Sequence, residues 1–145
     1  MVRKVLLVLF VVIAFTACEP CTSLTELETF SWMEGTWIPL DAERGDMFTG
    51  KVLRIQDGDI MVSDSLLSDS CASISSMVDN GTLRIREKYG YYNHYRISFE
   101  GDPECYVFSR ELDHNHIPSS PLLNLSVENR DTGAVFTAAF CRLES

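Results

Sequence analysis

The chain has 145 residues and a formal net charge of −9, from 21 acidic and 12 basic residues. This length suits one domain and is too short for two domains of ordinary size. The acidic balance repels phosphate backbones, which argues against nucleic acid as a partner, and it disfavours docking on anionic lipid by charge alone. A chain of this size can bury roughly 65–70% of its unfolded surface, so its core does not depend on disulfides.

A short basic head and an apolar run open the chain. Arg3 and Lys4 precede residues 5–15, all of which are apolar. The run has the length of a signal-peptide core and is shorter than the roughly 20 residues that a membrane-spanning helix needs. Residues 1–17 are therefore predicted to be a signal peptide, which places the mature protein outside the cytoplasm.

A cysteine, Cys18, follows Thr16 and Ala17 at the predicted cleavage site. The arrangement resembles a bacterial lipoprotein signal, in which cleavage before the cysteine is followed by acylation of its thiol. Phe15 departs from the leucine that is usual in this pattern. The resemblance implies that lipid on Cys18 holds the protein on a bacterial membrane, in the periplasm or at the cell surface. The alternative is an ordinary secretory signal cut after Ala17.

Four cysteines remain once Cys18 is set aside: Cys21, Cys71, Cys105 and Cys141. An even number in an oxidising compartment predicts two disulfides, with three possible connectivities. We favour Cys21–Cys141 with Cys71–Cys105, because closure of a barrel brings its first and last strands together. The gaps between these four cysteines are long and lack Cys-x₂-Cys spacing, which disfavours zinc. No metal or other cofactor is predicted.

The rest of the chain carries a strand pattern. Residues 18–29 are polar and predict a tether that passes into a short helical turn, whereas residues 30–145 alternate with a period of two. Turns rich in Asp, Asn and Gly separate eight or nine short segments, including a strand over residues 71–78 and a hairpin at residues 79–81. Closure removes exposed edges, so the predicted fold is all-β, a single antiparallel meander β-barrel.

Residues 30–37, Phe-Ser-Trp-Met-Glu-Gly-Thr-Trp, resemble the opening of lipocalin-like and other calycin barrels. In those folds a short helical turn and an aromatic residue precede Gly-x-Trp at the first strand. The resemblance implies that Trp37 plugs one end of the barrel, that Arg142 from the last strand packs across the indole, and that the opposite end is an open mouth. A guanidinium over an indole contributes about 0.5–2 kcal/mol.

A lipocalin-like barrel implies an interior that binds a small, largely apolar ligand. The residues predicted to line it are aromatic and lie on strand faces: Tyr91, Tyr95, Phe99, Phe136 and Phe140. Their alternative role is ordinary core packing, which would make the chain a structural or protein-interaction domain without a ligand. Barrels of about eight strands occur in both forms, because side chains alone can fill them.

Signals for catalysis are weak. His114 and His116 are the only closely spaced histidines, and a solvated loop explains them better than a metal, because no third ligand can be named. The sequence has no Gly-x-Ser-x-Gly elbow and no glycine-rich phosphate loop. We therefore predict no enzyme. The leading hypothesis is a membrane-anchored extracytoplasmic lipoprotein with a ligand-binding barrel, and the alternative is the filled domain.

Overall fold

The computed structural model describes residues 27–68 and 70–144, so the predicted signal peptide, Cys18 and Cys21 lie outside the described residues. Nine antiparallel strands form one sheet that curls into a half-barrel, which confirms the all-β prediction. The strands are β1 Gly35–Pro39, β2 Val52–Gln56, β3 Asp59–Ser63, β4 Ala72–Ser73, β5 Ile85–Gly90, β6 His94–Phe99, β7 Glu104–Ser109, β8 Leu122–Asn129 and β9 Val135–Arg142. A 3₁₀ turn, Ser31–Met33, precedes β1, and a short helix, α1, spans Ile74–Asp79.

The sheet is a meander whose first and last strands are neighbours. Its order is β4-β3-β2-β1-β9-β8-β7-β6-β5, and Trp37 in β1 lies opposite both Leu53 in β2 and Arg142 in β9. Strands β4 and β5 are the two edges of the sheet and are not paired with each other. The hairpin predicted at residues 79–81 is therefore wrong, because these residues end α1 and the chain then crosses to the far edge.

The strand predicted over residues 71–78 is wrong for most of its length, because α1 begins at its fourth residue. Local hydrogen bonds explain the difference. The Ser73 hydroxyl accepts a hydrogen bond from the Ser76 amide at 3.1 Å, which caps the helix start. The carboxylate of Asp59 in β3 accepts a second one from the Ser75 amide at 2.9 Å. Alternating serines resemble a strand face, but serine also favours helix caps.

Side chains fill the concave side of the sheet. On β8, Leu123, Leu125 and Val127 are buried while their neighbours are half-buried, as the period of two predicts. Leu27 is also buried, so the described end of the predicted tether packs onto the core. The largest side chains with under 2% exposure are Tyr95, Tyr106, Phe48, Phe99, Phe108, Phe140, Met33, Leu53, Ile55, Ile60, Ile74 and Ile97.

The connection between β1 and β2 covers the end of the half-barrel opposite Trp37. Phe48 in this connection is fully buried, and its ring centroid lies 4.9 Å from that of Tyr106 and 5.2 Å from that of Phe108. The Asp46 carboxylate fixes the connection by accepting a hydrogen bond from the Phe48 amide at 3.0 Å. The open mouth expected at this end is therefore wrong, since an aromatic side chain occupies it.

The disulfide predicted between Cys71 and Cys105 is also wrong, because both residues are free thiols. Cys71 is exposed next to the edge strand β4, whereas Cys105 is buried in β7, and five strands lie between those two in the sheet. A disulfide needs Cα atoms about 4.4–6.8 Å apart, which this separation does not allow. Cys141 in β9 is a third free thiol among the described residues, and its expected partner Cys21 lies outside them.

Candidate binding cleft at the tryptophan end

Trp37 closes one end of the half-barrel. It is 4% exposed, and its indole N–H donates a hydrogen bond to the Met33 carbonyl at 2.8 Å. The guanidinium carbon of Arg142 lies 4.7 Å from the centroid of the Trp37 ring, which is the contact expected from the sequence. Gly35 has a φ of 140°, and a Cβ there would lie 3.4 Å from Arg142 Nε. The Gly-x-Trp unit therefore lets the arginine approach the first strand closely.

A second arginine and tryptophan pair lies at the same end. The guanidinium carbon of Arg110, directly after β7, lies 5.2 Å from the centroid of Trp32 in the 3₁₀ turn. The Trp32 indole N–H donates to the Tyr91 carbonyl at 3.0 Å, and Arg110 Nε donates to the Tyr92 carbonyl at 2.9 Å. These bonds join the 3₁₀ turn, the β5–β6 turn and the end of β7. Arg110 was not among the predicted site residues, because its only signal in the sequence is its position just after a predicted strand.

The two pairs line one cleft, which we call the end cleft. Its volume is about 450 Å³. Its walls combine two indoles with proline and leucine side chains, and its charged groups are two arginines and one glutamate. The lining residues are Ser31, Trp32, Trp37, Arg110, Pro118, Ser120, Pro121, Leu122, Leu123, Arg142 and Glu144.

The loop that forms one wall of the end cleft is held by its own hydrogen bonds. The Asp113 carboxylate accepts hydrogen bonds from the amides of Asn115 at 2.8 Å and Ile117 at 3.0 Å. The amide of Asp113 in turn donates to the Ile117 carbonyl at 2.8 Å, and Leu112 forms a β-bridge with Pro118. These contacts within the loop fix the shape of the wall, which favours a preorganised cleft.

The two loop histidines are exposed beside this wall. His116 has a φ of 62°, and its ring centroid lies 5.4 Å from that of Tyr92 in an edge-on contact. His114 contacts the side-chain amide of Asn115 at 3.2 Å. In the described part of the chain, no group of three or more His, Cys, Asp or Glu side chains is placed to hold a metal ion.

Of the five residues predicted to line a barrel lumen, three are buried, one is half-buried and one is exposed. Tyr95, Phe99 and Phe140 are buried in the packed core. Phe136 is half-buried at the edge of that core. Tyr91 is 58% exposed, so its assignment to the interior is wrong. It lies in the turn after β5 rather than on β6, where the inward alternation begins only at Tyr95.

Burial perturbs two tyrosines of the core. Burial raises the pKa of Tyr106, and its hydroxyl also donates a hydrogen bond to Asp102 at 2.8 Å, which raises the pKa further. Burial likewise raises the pKa of Tyr95. Both groups favour the neutral phenol and are suited to packing, because a charged phenolate there would lose its hydration.

Two smaller cavities lie elsewhere on the molecule. One, of about 360 Å³, lies over the outward-facing side chains of β8 and β9, including Asn124, Ser126 and Thr137. The other, of about 270 Å³, lies between residues 28–30 and 88–90 with Tyr95 at its base. Of these three cavities the end cleft has the largest volume, and it is the only one lined by arginines.

No family model, no curated protein and no solved structure matches this chain. Among the described residues, no helix has the length and apolar character needed to span a membrane. The geometry of the end cleft is therefore the basis for a functional proposal.

Proposed function

We propose that this protein is a lipid-anchored extracytoplasmic binding domain that takes a small ligand in the end cleft and not inside the half-barrel. The apolar run before Cys18 supports export and anchoring, because it has the length and flanks of a signal peptide. The packed core and the preorganised cleft support the position of the binding site. No part of the proposal requires catalysis.

The filled interior is the observation that carries the proposal. Trp37 lies under one end and Phe48 under the other, and both are buried. The aromatic rings between them contact one another, as Phe48 does with Tyr106 and Phe108. Ligand pockets usually have volumes of about 300–1,000 Å³. The end cleft, at about 450 Å³, falls in this range, whereas the core has side chains where a lipocalin-like ligand would lie.

The anchor is tested by changing Cys18 to Ser and following the protein in membrane and soluble fractions. We expect the variant to move to the soluble fraction, because it lacks the thiol that would be acylated. The Cys71→Ser variant is the matched control, since Cys71 is exposed and outside the predicted signal. An unchanged partition of Cys18→Ser in detergent extraction would leave only an ordinary secretory signal.

The binding position is tested by NMR with an aromatic probe, 1-anilinonaphthalene-8-sulfonate. The chain has two tryptophans, so it gives two indole N–H signals, which the Trp32→Phe variant assigns. We expect the probe to shift both indole signals and to leave the methyl signals of the buried Ile97 and Leu125 unchanged. Shifts of the two methyl signals without the indole signals would place binding in the interior and contradict the proposal.

A protein-interaction domain is the second candidate, and one surface favours it. Tyr89, Tyr91 and Tyr92 are 46%, 58% and 54% exposed, and the rings of Tyr89 and Tyr91 lie 6.2 Å apart. Exposed tyrosine clusters are typical of protein interfaces. A photo-crosslinking amino acid at position 91 should then give one discrete adduct in cells, and one at Arg84 should give none. The absence of an adduct at position 91 would remove this candidate.

A further inference from the structure

We propose that the ligand of the end cleft is an organic anion, with a carboxylate or sulfonate joined to a flat apolar body. This inference rests on the proposed surface site and adds its ligand class. It follows from two features of the end cleft: a pair of arginines without acidic partners, and a wall of indole, proline and leucine side chains. Of the three cavities described above, only the end cleft combines these features.

The charges of the end cleft favour an anion. Among the described residues, neither Arg110 nor Arg142 forms an ion pair with a carboxylate. Among the described residues of the lining, Glu144 is the only acidic one. A net positive cleft is unusual on a chain with a net charge of −9, because most of its surface repels anions.

Two other arginines, Arg96 in β6 and Arg44 in the β1–β2 connection, form ion pairs with carboxylates. Arg96 lies between two carboxylates, with Nε 2.7 Å from Glu87 and Nη1 3.3 Å from Glu128. Arg44 is paired with Asp46 at 2.9 Å and lies 3.6 Å from Glu104. Arg96 and Arg44 are thus neutralised by nearby acids, whereas the two arginines of the end cleft are not. Arg54 in β2 also lacks an acidic partner among the described residues, but its guanidinium donates to Ser63 Oγ and to the Leu66 carbonyl.

The contacts that position the two guanidiniums leave N–H groups available. Arg110 uses Nε for the Tyr92 carbonyl, and its two terminal nitrogens have no hydrogen bond in the described part of the chain. Arg142 contacts the face of Trp37, and a face contact leaves the in-plane donors of a guanidinium open. Such donors match the two oxygens of a carboxylate or sulfonate, which they bind through charge-assisted hydrogen bonds.

The apolar walls of the end cleft favour a ligand with an apolar body over an inorganic anion. Trp32, Pro118, Pro121 and Leu122 line the cleft together with the buried Trp37. A free phosphate or sulfate would leave this apolar surface in water, whereas a flat hydrocarbon body would bury it. Burial of apolar surface contributes roughly 25 cal/mol per Å² before the costs of association. The ligand is therefore expected to be amphipathic, with its acid group toward the arginines.

Two dyes that differ by one group test the ligand class. The first is 1-anilinonaphthalene-8-sulfonate, and the second is N-phenyl-1-naphthylamine, which has the same ring system without the sulfonate. We expect the anionic dye to bind the full-length protein at least about tenfold more tightly than the neutral one, since a hydrogen bond to a charged group contributes about 1.5–3 kcal/mol. Titrations followed by dye fluorescence give both dissociation constants.

Variants that each remove one positive charge show where the anionic dye binds. Arg110→Gln and Arg142→Gln should each weaken binding of the anionic dye about tenfold, while Arg86→Gln, at an exposed position in β5, should not change it. Arg142→Gln also loses the packing of Arg142 on Trp37, so its effect could come from a change in structure. A further variant, Ser31→Asp, avoids this problem, because it removes no described contact and adds a carboxylate to the lining. This variant should also weaken binding about tenfold by neutralising the guanidiniums, with an unchanged circular dichroism spectrum.

The outcomes separate this inference from the function on which it rests. Equal affinity for the two dyes, with indole shifts from both and no effect of the three cleft variants, would overturn the anion and keep the end cleft as a binding site. Indole signals that do not respond to either dye would overturn both proposals. Selective binding of the anionic dye that Arg86→Gln abolishes as strongly as Arg110→Gln would also overturn the inference, because it would reflect general surface charge.

Discussion

Arg142 and Trp37 are joined twice: they are paired across β9 and β1, and the guanidinium carbon lies 4.7 Å from the centroid of the indole. The backbone pairing joins the last strand to the first, and the side-chain contact covers the end of the core. The relationship therefore connects the pairing of the first and last strands to the floor of the end cleft.

The first prediction is a double-mutant cycle on this pair. Trp37→Ala should lower the free energy of unfolding by about 3–5 kcal/mol, because it empties a buried aromatic site. Arg142→Ala should lower it by about 0.5–2 kcal/mol. The double variant should lose less than the sum, because the two groups touch. Urea denaturation measures all three values, with Arg86→Ala as the surface control. Additive losses would show that the contact is not energetically coupled.

A second prediction concerns Gly50 in the connection that carries Phe48. Gly50 has a φ of 76°, and a Cβ there would overlap the backbone nitrogen of Glu43. Gly81 has a similar φ of 81°, but a Cβ there would meet no atom within 4 Å. Both alanine variants carry the cost of a left-handed conformation, about 1–2 kcal/mol. Gly50→Ala should cost about 1–3 kcal/mol more, because its neighbours are backbone atoms that must move. Equal thermal midpoints would contradict this packing.

Stability should fall at alkaline pH because of the buried tyrosines. Burial raises the folded-state pKa of Tyr106 and of Tyr95 above the unfolded value of about 10. Their contribution is therefore fully present below about pH 10 and is lost as the pH rises further, by about 1.4 kcal/mol per unit for each group. Urea denaturation between pH 8 and 12 measures the slope.

The Tyr106→Phe variant separates this effect from general alkaline denaturation. It should lower stability by about 1 kcal/mol at pH 7, through loss of the hydrogen bond to Asp102, and should reduce the alkaline slope by about half. Tyr91→Phe is the matched control, because that side chain is 58% exposed and should leave the slope unchanged. An identical slope in Tyr106→Phe and the wild type would contradict the role of its burial.

The free thiols should differ in reactivity. Cys71 is exposed, whereas Cys105 is buried and burial raises the pKa of its thiol. In a Cys18→Ser, Cys21→Ser background, Ellman's reagent should react with Cys71 roughly a hundredfold faster than with Cys105, which reacts only after opening of the sheet. The Cys71→Ser variant should lose the fast phase. A Cys71–Cys105 peptide in non-reducing mass mapping would contradict the free thiols.

The sequence was sufficient to predict most of the strands, because period-two alternation reports which face is buried. On β8, Leu123, Leu125 and Val127 follow the prediction residue by residue. The contact between Trp37 and Arg142, which the resemblance to calycin barrels implies, is also present, and the two residues are paired across β1 and β9. These features depend on local pattern and on chain order, which a single sequence contains.

Features that depend on distant contacts were not predictable in the same way. The turn to helix after Ser73 depends on the Asp59 carboxylate, which lies in another strand. The closed second end depends on Phe48, whose segment, residues 47–55, was predicted as one alternating stretch although β2 begins only at Val52. The end cleft needs Arg110, Trp32 and the loop wall to meet, although they are far apart in the chain. The spacing of residues along the sequence does not show which distant residues come together in the fold.

The central claim is that the interior is filled and that binding occurs on the surface, and benzene binding tests it most directly. Apolar cavities of about 150 Å³ bind benzene, so Phe108→Ala, which removes a fully buried ring, is the positive control. We predict that benzene shifts the methyl signals of Ile97 and Leu125 in Phe108→Ala and leaves them unchanged in the wild type. Saturable shifts of these methyl signals in the wild-type protein would show an interior cavity and contradict the account.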